Sequence, residues 1–167
     1  MMNNARRFVP SVIRRPLGRL RAVIRRLAIW QRVRRELSGK TPIDQEILNA
    51  AIKNSWQTVW KDLDQWQFPM VSQNCTVVAK GVGEFRVRAW SDDLFHALPG
   101  QEPAVEGAIR SILRPGDVFV DAGANIGFYS ILASRIVGTE GRVISVEMMP
   151  QTATILREYQ DKSACEY

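Results

Sequence analysis

The sequence predicts an α/β fold: helices at the N-terminus, a small β-hairpin, and then a strand–loop–helix–strand unit of a parallel sheet. Three observations predict it. Val118, Phe119 and Val120 form a short apolar run with β propensity, set off by the turn Arg114-Pro115-Gly116. Phe128 to Val137 carries Phe128, Ile131, Leu132, Arg135 and Ile136 at helical spacing, and Gly138 and Gly141 close it. Val143, Ile144 and Val146 make a second apolar run, which ends in Glu147.

At 167 residues the chain suits one domain, and 46% hydrophobic content is enough for a core. Three segments are expected: 1–40, 41–100 and 101–167. The net charge of +6 hides a split. Residues 1–40 hold 12 basic residues against one acid, Glu36, while the remainder holds 11 basic and 16 acidic residues. Cys75 and Cys165 lack CxxC spacing and His96 stands alone, so the sequence offers no metal ligand set. Free thiols in a reducing, cytoplasmic setting are the expectation. No apolar run has the length of a membrane span.

Residues 1–16, with Pro10 and Pro16, are expected to be mobile. Leu17 to Arg35 reads as a helix with Leu17, Leu20, Ile24 and Leu27 on its apolar side and Val23 and Trp30 beside them. Arg19, Arg21, Arg25, Arg26 and Arg32 take the other sides. Such a helix either packs on the domain with a solvated arginine face or lies on an anionic membrane surface. An Arg-rich, acid-poor start also resembles a transit peptide, although serine is scarce. Nucleic acid is disfavoured, because aromatic interleaving and a recognition module are missing.

Gly39-Lys-Thr41 lacks the earlier glycine of a phosphate loop. Thr41 and Pro42 read better as N-cap and first residue of a helix, with Asp44 in its first turn. That helix is expected to reach about Gln65, with Ile43, Ile47, Ala51, Val59, Leu63 and Trp66 at helical spacings. Trp56 and Trp60, four apart, suggest core or interface. Cys75–Ala79 and Glu84–Trp90 read as strands joined around Lys80-Gly-Val-Gly83, with Phe85, Val87 and Ala89 on the buried face. Residues 91–100 read as a loop or short helix in which His96 is structural. Glu102–Leu113 reads as a helix with Val105, Ile109, Ile112 and Leu113 on one side, and Pro150 to about Asp161 as another.

Chemistry concentrates in Asp121-Ala-Gly-Ala-Asn-Ile-Gly127 and in Glu147. Gly123 and Gly127 let the backbone turn sharply and approach a ligand closely. Ligands of open α/β sheets bind beyond the carboxyl ends of the strands. An acid at the tip of the second strand, 20 residues after Gly127, is placed to accept hydrogen bonds from both hydroxyls of a ribose. The glycines are spaced G-x-x-x-G, which is not the nicotinamide fingerprint. Taken singly, the glycines could serve only a tight turn, Asp121 could be an N-cap and Glu147 a solvated strand end. Taken together, in this order, they point to a nucleotide-like cofactor.

Leu113-Arg-Pro-Gly-Asp-Val-Phe-Val-Asp-Ala-Gly-Ala-Asn-Ile-Gly127, followed by Gly141-Arg-Val-Ile-Ser-Val-Glu147, resembles the first half of a class I S-adenosylmethionine-dependent methyltransferase. More narrowly it is similar to the FkbM-type family, well over residues 102–160 and loosely over 75–101. The resemblance implies an incomplete Rossmann-like sheet preceded by the N-terminal helices and the hairpin. It implies S-adenosylmethionine as cofactor, with Asp121, Gly123, Asn125 and Gly127 around its methionine part and Glu147 on the ribose hydroxyls. The family usually has a proline straight after the acid. Here Met148 stands there, as a soft apolar cover for adenine. The implied acceptor is a small-molecule or saccharide hydroxyl, with Glu106 near the site and the base beyond residue 167. With two visible core strands, the chain reads as the N-terminal half of such a domain, lacking walls for its crevice and inactive alone. The competing reading is a non-catalytic interaction or membrane-surface protein derived from a truncated methyltransferase.

Overall fold

The structure, a computed structural model, describes residues 11–157 and 165–166. It is a mixed α/β fold with two small sheets, as the sequence predicts. The order is α1 (Ser11–Glu36), β1 (Leu37–Gly39), α2 (Pro42–Val59), β2 (Cys75–Ala79), β3 (Gly83–Val87), α3 (Asp93–His96), α4 (Pro103–Ile112), β4 (Val118–Ala122), α5 (Phe128–Val137), β5 (Arg142–Val146), α6 (Pro150–Arg157) and β6 (Cys165–Glu166). β1, β2 and β3 form an antiparallel sheet. β4, β5 and β6 form a parallel one, in that order. Two core strands are expected from the sequence, and β6 adds a third, only two residues long.

α1 departs from expectation twice. It begins at Ser11 and runs through Pro16, where a helix start near Leu17 is predicted. Its buried side is Val23, Arg26, Ile29 and Val33, while Leu17, Leu20 and Ile24 face outward. Both sides of the helix are apolar at i, i+3, i+4 spacing, so periodicity alone cannot tell which one packs.

Arg26, expected on a solvated face, is instead buried. Its guanidinium donates to the carbonyls of Thr58, Val59, Lys61, Asp62 and Gln65. These are the last carbonyls of α2 and those of the turn after it, groups a helix end leaves without partners. A cation there also suits the negative end of the helix dipole. The capture explains why α2 stops at Val59 and not near Gln65, with Asp62 in the left-handed region at φ 44°. Arg25 lies 3.5 Å over the ring of Trp66.

The start of α2 is as predicted. Thr41 and Asp44 form a reciprocal capping box. Asp44 also accepts from the backbone N–H of Thr76 at 2.8 Å, which ties α2 to β2. That bond leads the causes holding the Asp44 carboxyl below its usual value, followed by the bond to the Thr41 side chain. Inside α2, Leu48, Ser55 and Val59 are buried and Ile43 is exposed. Trp56 and Trp60 meet edge to face at 5.5 Å but are exposed, so they are not core.

The hairpin is as predicted, except that β3 begins at Gly83 and ends at Val87. It braces the second half of the molecule. Phe85 stacks on Phe128 of α5, with ring centroids 5.7 Å apart, and Arg135 of α5 donates to the carbonyl of Val82. One hydrophobic cluster therefore runs from Ile29 and Val33 through Phe85 to Ile131 and Leu132. Cys75 is a free thiol inside it, and burial pushes it up to about 11. It is protonated and unreactive at neutral pH.

α5 covers one face of the parallel sheet, where Asp121, Val143 and Ser145 are buried. On the other face Val118, Val120 and Val146 are 62%, 59% and 50% exposed. Parallel sheets are normally covered on both sides. α4 buries Ile109 but leaves Val105 and Ile112 exposed, against the single apolar side expected of it.

Candidate functional site

The site is built where β4 and β5 end side by side. The parallel register pairs Asp121 with Ser145 and Ala122 with Val146, so the glycine loop and Glu147 leave the sheet at one level. The backbone N–H groups of Gly123 and Ala124 donate to the carbonyl of Val146 at 2.8 and 3.0 Å, which folds the loop over the tip of β5. Gly123, Asn125 and Gly127 have φ of 82°, 50° and 85°. This explains the residue types, because side chains resist that region and glycine and asparagine tolerate it best.

Glu147 closes the loop. One carboxylate oxygen accepts from the N–H of Asn125 and the other from the N–H of Met149, both at 2.8 Å. Each oxygen has a second lone pair, so capacity remains for a ligand's hydroxyls. Glu147 stands at this strand tip, as the sequence predicts, and its backbone partners have no signature in the sequence.

Asp121 is buried below the loop and does not line the hollow above it. Ser145 donates to Ser130 at 2.7 Å, and Ser130 donates to Asp121 at 2.6 Å. This chain joins β5, α5 and β4 behind the glycine loop. Burial pushes the Asp121 carboxyl up, hydrogen bonds from Ser130 oppose the rise, and the charge of Glu147 adds to it. Ser130 and Ser145 escape sequence reasoning, because a serine in an apolar run gives no sign of its partner.

Gly123, Ala124 and Asn125 form one wall of a hollow whose other walls are His96, Leu98, Gln101 and Glu102, with Phe128 and Tyr129 at the start of α5. The sequence reading leaves this side of the crevice without a wall; the segment from α3 to α4 supplies one. Tyr129 donates to Glu102 at 2.9 Å, and His96 Nε2 lies 3.3 Å from Asp92. Burial, followed by the bond to Glu102, raises the Tyr129 hydroxyl above its usual value, so it remains a donor. The lining acid is Glu102. Glu106, expected near the site, instead accepts from the backbone of Gly100 and from Arg110. Met148 is 90% exposed. Glu147 also edges a second hollow with Ser145, Ala153, Leu156 and Arg157.

The hollow suits the methionine end of S-adenosylmethionine on two observations. A Cβ at Gly123 would meet open space, so the loop has room for a close ligand. A carboxylate stands on the wall, which favours a cationic amino group or sulfonium.

No family model and no solved structure matches the chain. It is 33% identical over 85 residues to the protein-L-isoaspartate O-methyltransferase of Aeropyrum pernix, a match covering 48% of this chain and 33% of that relative. The matched part is thus about a third of the relative's length. The likeness supports the methyltransferase class and the cofactor that class uses. It gives no support to the narrower FkbM type. Among the described residues, no helix is long and apolar enough to cross a membrane.

Proposed function

We propose that the chain belongs to an S-adenosylmethionine-dependent methyltransferase of the FkbM type, which O-methylates a hydroxyl of a small molecule or saccharide. The observation that carries the reading is the bond between Glu147 at the tip of β5 and the N–H of Asn125 in the loop after β4. It makes the strand-tip acid and the glycine loop one rigid unit. When bound, the cofactor supplies a methyl group activated on a sulfonium. Gly123 and Asn125 face its methionine part, Gly127 turns the chain into α5, and Asp121 supports the loop from below. Glu147 offers its remaining lone pairs to the ribose, and Met148 covers the adenine. Catalysis of this kind rests on holding acceptor oxygen and methyl carbon in line. His96, expected to be structural, lines the hollow, and on this reading its imidazole serves as the base that takes a proton from the acceptor.

A second reading follows from the relative's name, which gives a protein-L-isoaspartate residue as its acceptor. The two readings differ in product chemistry. Methyl ethers survive mild base, whereas methyl esters of carboxylates release methanol. The test offers the chain labelled cofactor with saccharide and isoaspartyl-peptide acceptors. Because the segment from α3 to α4 walls the hollow, the proposal departs from the expectation of an inactive chain and predicts base-stable label on the saccharide. Base-labile label on the peptide would favour the second reading and overturn the first.

A further inference from the structure

α1 has two apolar faces, and the fold uses one. Val23, Ile29 and Val33 are in the core. On the opposite side Leu17, Leu20, Ile24 and Leu27 follow an i, i+3, i+7, i+10 course. Leu17, Leu20 and Ile24 are 43%, 56% and 57% exposed, a large share for three aliphatic side chains one turn apart. Arg21, Arg34 and Arg35 are exposed along the same helix.

We propose that this outer face of α1 docks on an anionic lipid membrane. The helix lies in the plane of the interface, with Leu17, Leu20 and Ile24 entering the boundary between headgroups and acyl chains. The arginines beside them extend their stems over the apolar layer and place their guanidiniums among acidic headgroups. Charge complementarity selects this occupant. Twelve of the 23 basic residues lie within residues 1–40, and the rest of the chain carries 11 basic against 16 acidic residues. The partner must therefore be anionic, and it must also accept aliphatic side chains. A nucleic acid meets only the first requirement.

The fold marks which arginines are committed elsewhere. Arg26 caps α2, Arg32 donates to the carbonyl of Pro99, Arg25 covers Trp66 and Arg19 pairs with Asp64. Arg35 contacts Glu36 at 2.6 Å on the exposed surface, where such a pair exchanges readily with other anions. The acidic remainder of the chain is repelled by an anionic surface, so α1 is the side that approaches. This inference stands apart from the methyltransferase reading and fails or succeeds independently of it.

The test is sedimentation of the full chain with phosphatidylcholine vesicles, with and without phosphatidylserine. Binding is expected only to the anionic vesicles, weakening as salt rises. The double variant Leu20→Ser, Ile24→Ser is expected to lower partitioning about tenfold or more, through loss of buried apolar area. Arg21→Gln is expected to lower it about fivefold. These side chains are exposed, so the thermal midpoint by circular dichroism should not move. Equal pelleting with neutral vesicles would overturn the proposal, as would indifference to the double variant. Two other results would also overturn it: a duplex nucleic acid bound equally well by wild type and double variant, or a dimer that the double variant dissolves without vesicles.

Discussion

Glu147 accepts a hydrogen bond from the backbone N–H of Asn125 at 2.8 Å, so the acid that ends β5 holds the loop that begins after β4. The residue expected to recognise a ligand is also the latch of the loop that lines its hollow. Changes at Glu147 therefore act on stability and on binding together.

Gly123 and Gly127 separate strain from crowding. Both have positive φ, but a Cβ at Gly123 meets nothing within 4 Å, whereas one at Gly127 would lie 2.7 Å from the Leu156 side chain. Gly123→Ala should cost about 1–2 kcal/mol by backbone strain alone. Gly127→Ala should cost more, and adding Leu156→Ala should make the penalty of the alanine at 127 smaller. Chemical denaturation of Gly123→Ala, Gly127→Ala, Leu156→Ala and the double variant Gly127→Ala, Leu156→Ala checks this. Equal costs at 123 and 127 would contradict the geometry.

Arg26 should be worth far more than its place in a basic helix suggests. Arg26→Met keeps most of the stem and removes the donors from five carbonyls. The expected loss is about 2–3 kcal/mol. Arg21→Met, on the exposed side, should change stability by less than about 0.5 kcal/mol. Urea titrations of the two variants decide it.

Asp93 should make part of the stability dependent on acid. It is wholly buried, and burial alone would raise its carboxyl; bonds from the Arg88 side chain and backbone outweigh that and hold it below the usual value of 3.8. A depressed folded value means the contribution is present above pH 3.8 and is lost as pH falls through the folded value. Asp93→Asn should remove that acid-sensitive part and lower stability at neutral pH by about 3 kcal/mol. Stability curves for wild type and variant between neutral and strongly acid pH should converge at the acid end. Parallel curves would contradict the assignment.

The uncovered sheet face should be detectable. Val118 and Val120 are exposed on β4, so the chain should enhance the fluorescence of ANS, and Val118→Thr with Val120→Thr should reduce it without lowering the thermal midpoint. A chain that leaves the dye dark would mean the face is covered in solution.

The second half of the fold was legible because its signals are local. The turn at Pro115-Gly116, the apolar runs and the terminating Gly138 place β4, α5 and β5 within a residue or two. The first half was less legible because distant partners decide it. α2 ends where Arg26 collects its carbonyls, 32 and more residues away in sequence. β1 has three residues, and Gly39, which reads as a loop glycine, is needed because a Cβ there would lie 2.1 Å from the backbone of Gln45. At the site, the places of Glu147, Gly123 and Gly127 could be read from the sequence, whereas the positive φ of Asn125 could not. The wall carrying His96 and Glu102 could not, since its place above the loop depends on how α3 and α4 pack.

The central claim is that the loop from Gly123 to Gly127 and Glu147 together bind S-adenosylmethionine. Titration calorimetry with S-adenosylhomocysteine, comparing wild type with Glu147→Ala at a temperature where both are folded, tests it most directly. The account predicts saturable binding by wild type and a loss of about 1.5–3 kcal/mol in the variant, whose loop N–H and ligand hydroxyls lose their acceptor. Equal affinity in the two proteins, or no binding by a folded wild type, would contradict it.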